Sequence, residues 1–456
     1  MKNYNTPIVR GLLNLKEKDA IRFHMPGHKG RSYEAIKPLI DNLLQLDFTE
    51  IDGSDDLYNP NGIIKESLSL LGNERGSKRS FYLTSGTTVG ILAGIMGLTS
   101  QGDKILITKN CHKSVYNAIE LNRLVPIILE HEPLDSGLEI PISQEIFISK
   151  LKEQKDIKMV VLSRPNYFGL SKNIKDLIEY CKENHIYLFI DEAHGSHLRY
   201  HEDLTDDAMT LGASLSVNSF HKTLPSLTQS SVINFNQQMS DIDISKVLSM
   251  IEKLQSSSPS YLLMASLEIS SAFMKECGNK KLKELKSHVD EFNNSVQKLD
   301  FLKVITSNHL MEHDFTRIVL ETDFPALYLK NHLENNGIFV EMITRNILVL
   351  IATVMDEKSD FITLSKSIKS FNLKKYLDVS KYKRFPDTYD ISKISFNHAE
   401  GKTLKENIII YPPGTIYLKK GDVITKKDID YLTSLIEDGI HVFTDFNKNL
   451  NNLYVE

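Results

Sequence analysis

Between residues 80 and 240 the chain repeats one pattern: a short apolar run, a turn, then a stretch with apolar residues at helical spacing. The apolar runs are SFYLTS (80–85), DKILITKN (103–110), VPIILEH (125–131), KMVVLSRP (158–165), IYLFIDE (186–192), SLSVNSF (214–220) and SSVINFN (230–236). Most are β-branched and lack strict polar alternation, as strands covered on both faces do. Helical intervals such as NIKDLIEYCKENH (173–185) separate them. The alternation predicts a doubly wound α/β layer around a large, mostly parallel seven-stranded sheet. Ligands of such sheets collect at the carboxyl ends of the strands.

The pattern changes after residue 240. ISKVLSMIEKLQ and MASLEISSAFMKECGNKKLKELKSHVDEFNNSVQKL have helical spacing, with the loop SSSPS between them, and predict a connecting helix into a second domain. Residues 300–456 mix short strands (TRIVLET, NILVLIATV, ENIIIYPPG) with helices, which predicts a smaller α+β domain. The expected division is an N-terminal segment at 1–45, a major domain at 46–300 and a C-terminal domain at 301–456. The charged stretch SIKSFNLKKYLDVSKYKRF (367–385) reads as a solvated linker or helix face.

Composition narrows the function classes. The 456 residues are 41% hydrophobic and 25% charged, with 54 basic and 59 acidic residues and a net charge of −5. No basic excess favours nucleic acid as the main partner. Cys111, Cys181 and Cys277 are odd in number, far apart and without CxxC spacing, so neither a disulfide framework nor a metal site is expected. The opening MKNYNTPIVRGLLNLKEKDAIRF lacks the apolar run of a signal peptide, and no stretch of about 18 apolar residues occurs. No membrane partner and a cytoplasmic location are the simplest expectations.

The candidate chemistry lies at predicted strand ends. Lys222, in SFHKTLPSLTQSS, follows by 31 residues Asp191, which closes the strand IYLFID. This is the layout of a site for pyridoxal 5′-phosphate. There the lysine forms an imine with the cofactor aldehyde, and the aspartate keeps the pyridine nitrogen protonated, so that the ring can accept electrons. Upstream, TSGTTVG opens an apolar helix with Thr87 and Thr88 in its first turn, where free N–H groups and the helix dipole suit a phosphate. The same letters also suit a plain hydroxyl cap with glycines for close packing. His112, after the strand DKILITKN, could stack on a flat cofactor or shuttle protons, although a strand-end histidine is more often structural.

DEAH at 191–194 also invites a nucleotide-binding reading, which requires GxxxxGK[ST] upstream. The sole GKT, at Gly401–Thr403, lies downstream and has Phe396 where the first glycine should stand, so that reading fails. What remains is a strand-end carboxylate followed by the small Ala193, which leaves room for a ring, and by His194. Ser219 and His221 flank a lysine in an expected strand-to-loop turn, where desolvation and nearby positive charge would lower its pKa.

With these parts in order, the chain resembles the Orn/Lys/Arg decarboxylase family of the aspartate aminotransferase fold (fold type I). FHMPGHKG (23–30), IDGSDDLYNPNGII (51–64), SGTT, NCHKS, DEAHGSH, SFHKTLPSLTQ, SSSPSYLLMASLE (256–268) and AEGKTLKENIIIYPPG (399–414) carry the resemblance across residues 7–440. It implies that Lys222 is the Schiff-base lysine, Asp191 the partner of the pyridinium nitrogen, and His112 the group stacked on the ring. Thr87, Thr88, Ser219 and His221 would hold the phosphate, with Ala193 packed under the ring and His194 lining the pocket. The implied catalytic set is Lys222, His112 and Asp191, with no metal. The resemblance is to the short branch of the family. It implies a homodimer or larger assembly with active sites at the subunit boundary, where the SSSPS loop could serve a neighbouring site.

YPPGTIYLKKGDVI departs from the family's usual YPPGIP and PGE, with Thr415 and Ile416 replacing Ile-Pro and Asp422 standing for glutamate. The implied activity is decarboxylation of arginine or lysine, with ornithine possible, to the amine and CO₂. A fold relative such as an aminotransferase or lyase is the alternative. Glu50, Asp52, Asp55 and Asp56 are candidates for receiving the substrate's distal charge, or else form a solvated turn.

Overall fold

The computed structural model describes residues 5–18, 20–130, 133–307, 311–375, 394–411, 414–445, 450, 452–453 and 455. Residues 376–385 of the expected linker, Pro412 and Pro413 of YPPG, and His131 of the third predicted strand lie outside them.

All seven predicted strands form and build one sheet. They are β1 (Arg79–Leu83), β2 (Lys104–Thr108), β3 (Val125–Leu129), β4 (Ile157–Ser163), β5 (Tyr187–Asp191), β6 (Leu215–Ser219) and β7 (Ser231–Phe235). Their spatial order is β1-β7-β6-β5-β4-β2-β3. Strand β7 runs antiparallel to both neighbours and the remaining pairings are parallel. The intervening helices include α1 (Gly86–Leu98), α2 (Lys113–Leu121), α3 (Gln144–Glu153) and α4 (Lys175–Glu183). A single helical turn, α5 (Phe220–Thr223), precedes the long α6 (Tyr261–Val296).

The sheet is buried on both faces, which explains the unbroken apolar runs. Leu106, Val160, Leu188 and Ile190 pack with Phe147, Leu151, Leu177 and Ile178 of α3 and α4. Their strand neighbours Ile105, Ile107, Met159, Val161 and Phe189 point the other way, toward Ile91 and Ile95 of α1. Helix α1 lies very close to the sheet. A Cβ on Gly94 would stand 2.5 Å from the Phe189 ring, so only glycine fits at the crossing. Phe189 and Asp191 share a face of β5, and Asp191 therefore emerges on the α1 side, at the strand's carboxyl end.

Beyond β7 the chain forms the helix Asp241–Leu254 and then enters α6, whose 36 residues span about 54 Å. Ser260 caps it by accepting from the Leu263 N–H at 3.3 Å. A second sheet follows, of Leu302–Ile305, Arg317–Thr322, Ile347–Ile351 and Met342–Ile343 in that spatial order, all pairs antiparallel. The chain's start is tied to this region, since Ile21–Phe23 pairs in parallel with Ile338–Val340. No described helix is long and apolar enough to cross a membrane.

Candidate active site

The carboxyl ends of three strands of one sheet supply the centre. Asp191 closes β5, Lys222 sits in α5 just past β6, and Thr87 and Thr88 open α1 just past β1. The expected strand-to-loop turn around Lys222 is one turn of α-helix, because the Leu224 N–H donates back to the Phe220 carbonyl at 2.8 Å. Thr87 and Ser219 share a hydrogen bond of 3.1 Å between their hydroxyls, which brings the α1 turn against the lysine segment. Thr88 is exposed at that turn.

Lys222 Nζ lies 3.0 Å from His194 Nε2. Burial lowers the lysine pKa, Asp191 and Glu341 pull it back up, and the Arg317 charge lowers it further. The expected nearby positive charge is thus Arg317. The flanking His221 carries no such charge, since burial brings its pKa down to about 4 despite the Ser230 carbonyl. His112 caps α2 with Nδ1 2.8 Å from Ser114 Oγ, and burial together with the Lys222 charge brings it to about 4. At neutral pH both rings are uncharged.

Asp191 is buried at 7% exposure, and burial raises its pKa against the pull of Lys222 and the Ala193 N–H. Oδ1 accepts from that N–H at 3.1 Å, while Oδ2 has no hydrogen bond from any described residue. A buried carboxylate with one oxygen bare is suited to a cationic ring N–H. Ala193 and His194, both buried, follow directly. The next residue after Asp191, Glu192, is pushed up to about 8 by burial and the Asp207 charge, and accepts from Asn218 Nδ2 at 2.9 Å and the Ala208 N–H at 2.8 Å.

Sequence motifs alone missed four residues here. Arg317, fully buried, donates from Nη2 to His194 Nδ1 at 3.1 Å. The Tyr167 ring packs on His194 with centroids 4.5 Å apart, and its hydroxyl donates to Glu341. Glu341 also accepts from the Met25 N–H at 3.0 Å. Lys29 of PGHKG is buried and donates to the His24 and Ile351 carbonyls at 2.9 and 2.8 Å. Two signals could have found some of these. Tyr167 lies just past the β4 strand end, and Arg317 heads the strand Arg317–Thr322, directly ahead of the apolar run Ile318–Leu320.

The PGHKG segment braces the lysine helix. The Gly27 N–H donates to the His221 carbonyl at 2.7 Å, and Thr353 Oγ1 donates to the Gly27 carbonyl at 2.8 Å. A Cβ on Gly27 would stand 2.3 Å from the Leu224 carbonyl oxygen. Gly27→Ala is therefore expected to cost about 1–3 kcal/mol in urea unfolding, as overpacking does. An unchanged midpoint would mean that this contact relaxes freely.

The acidic segment is not brought to the lysine, whose nearby carboxylates are Asp191 and Glu341. Asp55 instead accepts from the Asn61, Gly62 and Ile64 N–H groups at 2.9, 2.8 and 2.9 Å, holding the start of the helix Ile63–Arg75. Asp56 accepts from the Tyr58 N–H at 2.9 Å, and Glu50 from Thr49 Oγ1 at 2.5 Å. Among the described residues no group of three or more His, Cys, Asp or Glu is placed to hold a metal ion.

Residues 6–321 match the family described as Orn/Lys/Arg decarboxylase, major domain. The chain belongs to this family. The Bacillus subtilis protein YaaO is 31% identical over 96% of both chains. An arginine decarboxylase of Bacillus anthracis is 27% identical, with 100% of this chain and 98% of that one covered. The lysine decarboxylase LdcF of Francisella novicida superposes with a TM-score of 0.74 at 17% identity, covering 99% of this chain and 76% of that one, which establishes the shared fold. The chain is a pyridoxal-phosphate-dependent amino-acid decarboxylase of fold type I.

Proposed function

We propose that the chain decarboxylates arginine or lysine at the site centred on Lys222. The observation that carries this reading is the convergence of Lys222, Asp191 and the α1 N-terminus at the carboxyl ends of strands β6, β5 and β1 of one sheet, in a chain matched end to end by an arginine decarboxylase. When bound, pyridoxal phosphate supplies an electron sink for the bond broken at the substrate α-carbon.

The chain's own groups do the rest. Lys222 would carry the cofactor through Nζ and, once freed by the substrate amine, would hold a proton at that atom. Asp191 Oδ2 accepts from the pyridine N–H. His112, uncharged, would stack on the ring of a bound cofactor, and the small Ala193 would leave room under it. Thr87, Thr88 and the free N–H groups of α1 would hold the phosphate, joined by Ser219 Oγ. His221 Nδ1 is 3.0 Å from the Ser230 carbonyl, so Nδ1 carries the proton. The neutral ring's Nε2 then has only a lone pair, and His221 would donate to phosphate only as an imidazolium.

Ser219→Ala is expected to weaken cofactor binding roughly 10- to 100-fold, the loss of about 1.5–3 kcal/mol for a hydrogen bond to a charged group. Spectrophotometric titration with pyridoxal phosphate measures it, and an unchanged Kd removes Ser219 from the phosphate site. The reading includes a homodimer. In the helix Pro7–Glu17 no side chain is buried, and Ile8, Leu12 and Leu13 are more than half exposed. A monomer mass in light scattering would end that part. Substrate choice is tested by offering arginine, lysine and ornithine separately and identifying products by mass spectrometry. Agmatine or cadaverine with CO₂ supports the reading, whereas a keto acid formed with an added acceptor overturns it.

A further inference from the structure

His194 stands between two cations in the folded chain, and the directions of its two hydrogen bonds are fixed by chemistry. Its Nδ1 is 3.1 Å from Arg317 Nη2, and its Nε2 is 3.0 Å from Lys222 Nζ. A guanidinium carries only donors and does not deprotonate in proteins, so Nδ1 must accept. The single proton of a neutral imidazole is then on Nε2, and Nε2–H can only donate. Lys222 Nζ must therefore accept, which an ammonium, with three donors and no lone pair, cannot do.

We propose that Arg317 is a positioning residue that locks His194 as the Nε2–H tautomer and thereby holds Lys222 as a neutral amine. The importance of that amine rests on the reading of Lys222 as the cofactor lysine. The hydrogen-bond geometry does not.

The surroundings support the lock. Arg317 is fully buried and, besides His194 Nδ1, donates to Thr316 Oγ1 at 3.3 Å and the His194 carbonyl at 3.4 Å. Asp314, three residues before Arg317, faces the guanidinium and is itself 3.0 Å from His197 Nε2. Tyr167 packs on the imidazole with ring centroids 4.5 Å apart. The charged and titratable groups facing His194 are Lys222, Arg317, His112, His221 and Tyr167, and burial above all holds the ring well below its ordinary pKa. Those facing Lys222 are Asp191, Glu341, Arg317 and the histidines His194, His112 and His221. A protonated His194 would aim Nδ1–H at the guanidinium donors, which excludes the imidazolium.

A neutral amine is the form that attacks a cofactor aldehyde. The relay thus supplies a nucleophile at neutral pH without requiring Lys222 to lose a proton to solvent first. Its direction also distinguishes Arg317 from a general positive charge, because only a donor-only group on Nδ1 dictates the tautomer.

The test is long-range ¹⁵N–¹H correlation on the full chain labelled in histidine, with the His194 signals assigned by their loss in His194→Gln. Wild type is expected to show a protonated Nε2 and a bare Nδ1 across neutral pH. A proton on Nδ1, or on both nitrogens, overturns the proposal. Arg317→Leu should let the ring switch to Nδ1–H, whereas Arg317→Lys, also donor-only, should keep Nε2–H; a leucine variant with an unchanged ring overturns the proposal.

A second readout is the rate at which fluorodinitrobenzene modifies Lys222 in the full chain without added cofactor, followed by peptide mass spectrometry. Wild type and Arg317→Lys should react as free amines at neutral pH. Arg317→Leu should react at least about ten-fold more slowly, one pKa unit's worth. If the leucine variant does not fold, the wild-type tautomer and the lysine variant still decide. A cofactor found on some other lysine would end the proposed function and leave this tautomer result standing.

Discussion

Lys222→Ala is expected to abolish covalent cofactor attachment and to lower decarboxylation by roughly 10²–10⁴-fold, the contribution of one positioned proton-transfer group. The estimate is a lower bound, because the variant also loses the nucleophile that recaptures the cofactor. Fold and phosphate site should survive. Lys222 contributes to neither core, and the residues proposed to hold the phosphate lie in α1 and at Ser219. The outcome to measure is kcat with the favoured substrate, together with far-UV circular dichroism as a check on folding. Removal of a partly buried amine whose charged form is disfavoured should leave stability level or improved. A variant that retained more than a tenth of wild-type kcat would show that Lys222 is a bystander.

Asp191→Asn is the second large effect. Asparagine keeps the shape and can still accept from the Ala193 N–H, but it cannot carry the charge opposite a ring N–H. A fall in kcat of roughly 10²–10³-fold follows, the size found when one preorganised electrostatic group is removed from a reacting site. Stability should move the other way. The folded-state pKa of Asp191 is raised by burial, so ionising this group costs stability as pH rises through its unfolded pKa near 3.8 and beyond. Asparagine removes that cost, and in the cofactor-free chain Tm at neutral pH should equal or exceed that of wild type. A fall in both Tm and kcat would mean that Asp191 mainly supports the β5 end.

The sequence made the central sheet legible because a parallel sheet buried on both faces writes each strand as its own apolar run. Asp191, Lys222 and Thr87 were legible for a related reason, as each directly follows such a run and carries side-chain chemistry that a strand end has no structural need for. The partners of His194 were not. Arg317 reaches it across 123 positions, and Tyr167 meets Glu341 across 174. Such contacts arise where the second sheet docks against the first, and no local periodicity reports them. Short elements escaped for want of length. The pairing of Ile21–Phe23 with Ile338–Val340 involves three residues on each side, too few to show a period. The helical turn at Phe220–Thr223 is equally short, and it was read as a plain turn.

Asp55 shows the opposite error. A run of carboxylates in a predicted loop invites a substrate role, yet this one is occupied by backbone N–H groups at a helix start. Satisfying helix-end donors is the commoner work of such a residue.

The most direct test of the account is borohydride reduction of the cofactor-loaded protein, followed by proteolysis and mass spectrometry. The account predicts one pyridoxyl group on one peptide, attached at Lys222. Attachment at another lysine, or no attachment when the protein is saturated with pyridoxal phosphate, would contradict it.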